Sequence, residues 1–173
     1  VRERERGSME GLIASPLKKS ELILGKLGPY FIIGMVDMAI AMGMGQFLFE
    51  VPMRGSWLLM IAMSALYLMV MLAQGLLISF AAQNQLQANQ LSMLSTFLPA
   101  LLLSGFMFDI RQMPWILQAI SYIVPARYFV TLIKGIYLKG LGLDLLWPDA
   151  LLLVGFMLLF LLLAARRFAK KVR

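Results

Sequence analysis

The stretch ALLLVGFMLLFLLLAA, residues 150–165, carries neither a charge nor a strongly polar side chain. A helix rises 1.5 Å per residue, so about 20 such residues cross a hydrocarbon core of about 30 Å. Extended back to Leu145, the run reaches that length and predicts a membrane span. Trp147, Pro148 and Asp149 precede it. Proline suits the first helical turn, an acid suits the positive end of the helix dipole, and tryptophan suits the interface. Arg166 and Arg167 close the run with charge.

The rest of the chain has the same character as this span. Of 173 residues 61% are hydrophobic, and glycine adds 14 more. Charged residues make up 14%, against about 25% in an ordinary soluble domain. A soluble fold of this size has no core large enough for so much apolar surface. Three further apolar stretches run about 28–49, 57–82 and 91–108. The first is interrupted by Asp37 and Gln46, the second by Gln74, and the third contains Pro99. Between 109 and 144 the apolar pieces are shorter, broken by Pro114 and Pro125 and marked by Lys134 and Lys139. Pieces of about 10–14 residues favour interfacial or re-entrant helices over spans. The expected fold is an all-α integral membrane protein with four transmembrane helices and a re-entrant helical hairpin at 109–144.

Composition also removes chemistry. With no His and no Cys, the common zinc sites, haem ligation by those residues, iron–sulfur clusters and His-dependent nucleophile systems are absent. A net charge of +7 fits basic residues flanking spans better than nucleic acid binding. Six bases lie in residues 1–26 and five in the tail 166–173, against five in the segments 50–56 and 109–147. The positive-inside rule then predicts both ends in the cytoplasm, with the uncharged Gln83–Gln90 loop on the same side. An initial Val1 and the charged run Arg2–Arg6, without a signal-peptide pattern, suggest a fragment whose earlier portion holds further spans.

Residues 1–26 are polar yet organised. Gly7-Ser8 precedes the short apolar run Met9–Ala14, in which Glu10, Leu12 and Ile13 follow Met9, and Ser15-Pro16 makes a helix start. Spacing alone leaves two readings open: an interfacial helix, or a docking helix for a cytoplasmic partner.

Here the sequence resembles a known family. The segment VRERERGSMEGLIASPLKKSELILGKLGPYFIIG (1–34) resembles the cytoplasmic segment before the third membrane helix of ABC type-2 exporter permeases of the drug-exporter-like branch. The matching positions are Glu3, Arg4, Glu5, Gly7, Glu10, Leu12, Ser15, Pro16, Glu21, Gly25, Lys26, Pro29 and Tyr30, with Ser8 where the family has Thr. The stretch LLLSGFMFDIRQMPWILQAISYIVPARYFVTLIKGI (101–136) resembles the family's fifth helix and the extracellular helices after it. Ser104-Gly105 and Pro125–Tyr128 stand at its marked positions. Together the two stretches cover about 70 residues in the family's order.

The resemblance implies that 1–26 is a coupling segment, with Gly7, Ser8, Met9, Glu10, Leu12, Ile13, Ser15 and Pro16 docking on a separate nucleotide-binding subunit. ATP and Mg would sit in that partner, with no cofactor or metal bound by this chain and no catalytic residue in it. The nearest approach to a phosphate-binding loop, at Gly25-Lys26, fails at Ser20 and Leu27. The resemblance also implies a homodimer or a pair of related halves in the inner membrane, exporting a small amphiphilic substrate. The first two of six spans would be missing from this segment. Asp37 and Gln74 become candidates for the substrate path, because ionisable groups in a bilayer are costly and usually face a cavity or a partner. Ser104, Gly105, Pro125, Arg127 and Tyr128 become candidates for an outer gate. The competing readings are an ATP-independent carrier or assembly subunit, and an intramembrane aspartyl enzyme. For the last, Asp37 lacks the sequence context of a dyad with Asp109 or Asp149.

Overall fold

A computed structural model describes residues 19–171, with side-chain surroundings given for Gly25 and from residue 27 to residue 167. The segment 1–18, which holds the expected coupling residues, lies outside the described residues. Those described are helical with short connections, and none is in a strand.

Helix α1 spans Lys19–Phe47 and α2 spans Trp57–Ala81. Ser56 caps α2 by accepting from the Leu59 N–H. Helix α3, Gln85–Ser92, runs without a break through a π-helical turn at Met93–Phe97 into α4, Leu98–Leu103. After a 3₁₀ turn at Ile110–Gln112 come α5, Trp115–Ser121, and α6, Pro125–Ile133, which continues as a π turn through Leu138. Helix α7 spans Leu143–Lys171. Three stretches are long and apolar enough to cross a membrane: Leu27–Phe47, Trp57–Ala81 and Leu143–Arg167. The segments Trp115–Ser121 and Pro125–Leu138 meet at 84° and would together make a fourth.

Several boundaries differ from the sequence reading. The expected span 91–108 becomes a helix that starts at Gln85 and stops at Leu103. The expected loop Gln83–Gln90 is mostly its first turns. Asn84 accepts from the Gln87 N–H at 2.8 Å, and Gln87 Oε1 accepts from the Gln83 N–H at 2.7 Å. The Asn84 bond satisfies one donor that a helix start leaves orphaned, and the Gln87 bond ties the residue before the cap to the first turn. Helix α7 opens at Leu143 rather than near Trp147, so Pro148 sits in its second turn and Asp144 takes the first.

Helix α2 is the most enclosed of the long helices and packs against α1, α3, α6 and α7. The core lies between α2, α6 and α7, where Val70, Leu132, Ile136 and Leu153 are fully buried beside Leu146 and Tyr128. Helix α6 is amphipathic: Pro125, Tyr128, Leu132 and Ile136 fall on its buried face at helical spacing. Arg127, Thr131 and Lys134 fall on the other. By contrast α1 leaves Ile33, Val36, Ile40 and Met44 exposed.

One end of the bundle is tightly stitched. The Arg54 N–H donates to the Tyr137 carbonyl at 3.1 Å, joining the α1–α2 connection to the π turn after α6. Gly55 sits directly on the Ile136 carbonyl, where no Cβ fits, and Gly140, at φ +65°, backs onto Arg54. Glu50 in this connection also has positive φ, at 51°.

Candidate functional site

At that stitched end, the segments of chain after α4, around α5 and α6 and at the start of α7 line an open polar cavity of about 810 Å³. Four cations line it, Arg111, Arg127, Lys134 and Lys139, with one acid, Asp109. None of the four forms an ion pair among the described residues. Asp149 is within electrostatic reach of Arg127.

The walls are built by side chains that hold turns in place. Helix α4 ends where Ser104 Oγ, buried, accepts from the Phe106 N–H at 3.2 Å. Gly105 then takes φ +79°, a conformation natural to glycine. Its carbonyl accepts from Lys134 Nζ at 2.7 Å, tying the end of α4 to the end of α6. Asp109 caps the 3₁₀ turn by accepting from the Arg111 N–H. Gln118 donates to the Met113 carbonyl at 2.8 Å, anchoring α5 to the loop before it.

The bend between α5 and α6 is held by two residues singled out in the sequence. Arg127 donates to the Gln118 carbonyl at 3.4 Å and to Ser121 Oγ, and its guanidinium lies 3.8 Å above the Tyr122 ring. The Tyr128 hydroxyl donates to the Tyr122 carbonyl at 2.8 Å. Pro125 opens α6 from the buried side, where its missing N–H is not needed. Thus Ser104, Gly105, Pro125, Arg127 and Tyr128 are brought together by the fold around one cavity and the bend beside it.

Next to this cavity lies an apolar crevice of about 340 Å³, lined by Tyr67, Ala100, Phe129 and Ile133. Ser104, Phe106 and Val130 line both spaces. Phe129 stacks on Tyr67 with ring centroids 4.0 Å apart. A second apolar groove, about 580 Å³, runs between α4 and the start of α5 and shares Asp109 with the cavity.

The two path candidates are not brought together. Gln74 is buried, and its Nε2 donates to the Ser95 carbonyl at 3.2 Å. That carbonyl is the one four residues before Pro99, whose ring nitrogen has no hydrogen to give it. Gln74 therefore gives the Ser95 carbonyl a donor that residue 99 cannot supply. Asp37 lies on the exposed face of α1. Gly34 faces Leu68, so Asp37 stands near the level of Ala65, about nine residues or about 13 Å along α2 from Gln74. Further along α1, Gly43 has open space beside it, while Gly45 faces the Tyr137 hydroxyl. Among the described residues no cluster of acids could hold a metal ion.

In the sequence Lys134 and Lys139 stand out only as charges in the 109–144 region, and Arg111, Gln118 and Tyr122 do not stand out at all. The available signal was the polar face Arg127, Thr131, Lys134 on a helix opened by Pro125.

Fold and site together define a polytopic helical membrane protein whose polar side chains gather at helix breaks near one end. Residues 1–166 match the ABC-2 family transporter protein family, and the chain belongs to it. It is 44% identical over 140 residues to the probable multidrug ABC transporter permease YbhS of Escherichia coli, covering 81% of this chain and 37% of that protein. It is 34% identical over 147 residues to the probable multidrug ABC transporter permease YbhR of the same organism, covering 85% and 40%. It is 29% identical over 173 residues to the inner membrane transport permease YhhJ, also of Escherichia coli, covering 99% and 46%. The chain thus spans less than half the length of these relatives. No solved structure matches it.

Proposed function

We propose that this chain is part of the membrane-spanning permease subunit of an ATP-driven exporter in the inner membrane. The observation that carries the reading is the family match over 1–166 with 44% identity to a permease named for multidrug transport. In this reading residues 1–26 form the coupling segment, and Met9, Glu10, Leu12 and Ile13 meet a separate nucleotide-binding subunit that holds ATP and Mg. Both ends of the chain face the cytoplasm, and two permease copies or related halves enclose the pathway. The bent pair α5–α6 is a re-entrant hairpin entered from the extracytoplasmic side, and Arg127, Tyr128, Ser104 and Gly105 fix the shape of an outer gate. Asp37 faces the substrate path or the partner half, since a carboxylate left in lipid costs several kcal/mol on most scales. Gln74 has a structural role and leaves the list of path residues. The cargo is a small amphiphile.

The test uses the full-length permease co-expressed with its ATPase subunit. Glu10→Lys with Leu12→Asp abolishes co-purification of the ATPase while the permease still inserts. Undiminished co-purification and ATP-dependent export would sink the coupling assignment. A panel of hydrophobic cations, lipids and polymers, screened for ATPase stimulation in the reconstituted complex, identifies the cargo.

A further inference from the structure

We propose that the cavity at the stitched end and the crevice beside it form one binding site for an anionic amphiphile, a phosphate headgroup carrying an acyl chain. The inference stands on the geometry of the site and not on the ATP-coupled reading.

The cavity carries four cations against Asp109, and none of the four is ion-paired among the described residues. Two of them are committed to the fold: Lys134 binds the Gly105 carbonyl, and Arg127 holds the α5–α6 bend. Arg111 and Lys139 are exposed, and their side chains make no hydrogen bond among the described residues. They stand on opposite limbs of the wall, one before α5 and one after α6. Like charges held around one space repel each other, so an anion between them is favoured twice, by attraction and by relief of repulsion. A phosphate also accepts from guanidinium in a two-pronged geometry that a neutral headgroup cannot offer.

The crevice supplies the second half of the recognition. It shares Ser104, Phe106 and Val130 with the cavity and is walled by the stacked pair Tyr67 and Phe129. Tyr67 lies ten residues into α2, about 15 Å along the helix from its start at Trp57. The chain of a ligand therefore runs from the cation ring toward the middle of the bundle. A free phosphate uses only the cavity, and a neutral lipid only the crevice.

The experiment uses the full-length permease in nanodiscs of phosphatidylcholine, titrated with short-chain phosphatidylglycerol, short-chain phosphatidylcholine or inorganic phosphate. Binding is read by native mass spectrometry and by quenching from a spin-labelled chain. Phosphatidylglycerol is expected to bind at least tenfold more tightly than either comparator. The double variant R111Q/K139Q is expected to lose that preference by roughly tenfold or more, as removal of two bases near an anionic head predicts. R111K/K139R retains charge and shows that the site still folds. Ala100→Trp fills the crevice and weakens phosphatidylglycerol while leaving inorganic phosphate unchanged. Equal binding of the two lipids, or an unchanged preference in R111Q/K139Q, overturns the proposal. Inorganic phosphate binding as tightly as phosphatidylglycerol, with Ala100→Trp silent, overturns the amphiphile and makes the cavity a free-anion site.

Discussion

Pro99 and Gln74 make a coupled pair whose energy can be isolated. Pro99 deprives the Ser95 carbonyl of its usual donor, and Gln74 Nε2 reaches across from α2 to supply one at 3.2 Å. Replacing Gln74 by Met keeps an unbranched stem of the same reach and removes the donor. Interhelical hydrogen bonds in membrane bundles average about 0.6 kcal/mol and reach about 1.7 kcal/mol. This one serves a carbonyl whose fourth residue ahead is a proline, which sets the expectation toward the upper part of that range. The single substitution understates the bond, because Gln74 Oε1 is buried without a partner and its removal is favourable. A double-mutant cycle with Pro99→Ala avoids the problem. Alanine restores an N–H at position 99, so Ser95 no longer depends on Gln74. The expected coupling is about 1 kcal/mol. In thermal unfolding of the full-length permease in detergent, 1 kcal/mol corresponds to about 1–2 °C, because the relatives are more than twice as long as this chain. Gln74→Met should therefore lower Tm visibly more when Pro99 is present than in the Pro99→Ala background. The same Tm change in both backgrounds refutes this role for Gln74.

Gly55→Ala places a methyl on the Ile136 carbonyl, which is backbone and cannot retreat, so a loss of about 1–3 kcal/mol is expected in the same unfolding assay. Gly34→Ala meets only the end of the flexible Leu68 side chain at 2.7 Å and should cost clearly less; equal costs would contradict the stitched-end geometry. Tyr128→Phe removes the bond to the Tyr122 carbonyl and should destabilise by about 1 kcal/mol. It should also raise proteolysis between α5 and α6, and unchanged cleavage there would show that the bend does not need it. Asp37→Asn should lower export several-fold with assembly intact, measured as ATP-driven transport in proteoliposomes; an unchanged rate returns Asp37 to a structural role.

The long spans were legible because lipid imposes a simple requirement of length and apolarity, which residues 57–82 and 145–165 meet openly. The start of α3 was missed because QNQLQANQ has no apolar face. Its start is set by the Asn84 side chain, which accepts from the Gln87 N–H, a signal present in the sequence but outweighed by polarity. The end of the same helix was overrun because Phe106–Phe108 continue the apolar count. Ser104, which accepts from the Phe106 N–H, and the positive φ of Gly105 turn the chain out of the helix after Leu103. The gate candidates were legible as a group because proline, glycine and aromatic residues mark breaks. The cation ring was not, because Arg111 and Lys139 are 28 positions apart and meet only through the 84° bend.

The polar side chains within this apolar chain divide by their hydrogen bonds. Inside a bilayer every main-chain carbonyl needs a donor, and a broken helix lacks some. Gln74, Gln118, Arg127, Tyr128 and Lys134 each donate to a main-chain carbonyl beside a proline, a turn or the bend. Their polarity serves the backbone, and the positions of Pro99, Pro114, Gly105 and Pro125 account for it. Asp37, Arg111 and Lys139 make no side-chain hydrogen bond among the described residues. No hydrogen bond within the fold accounts for a charge at these three places, and of the three only Asp37 lies within a candidate span, where a carboxylate is costly. A polar residue in a membrane segment is therefore best tested for function only after the carbonyls four residues before each proline, and at each helix end, have been assigned their donors.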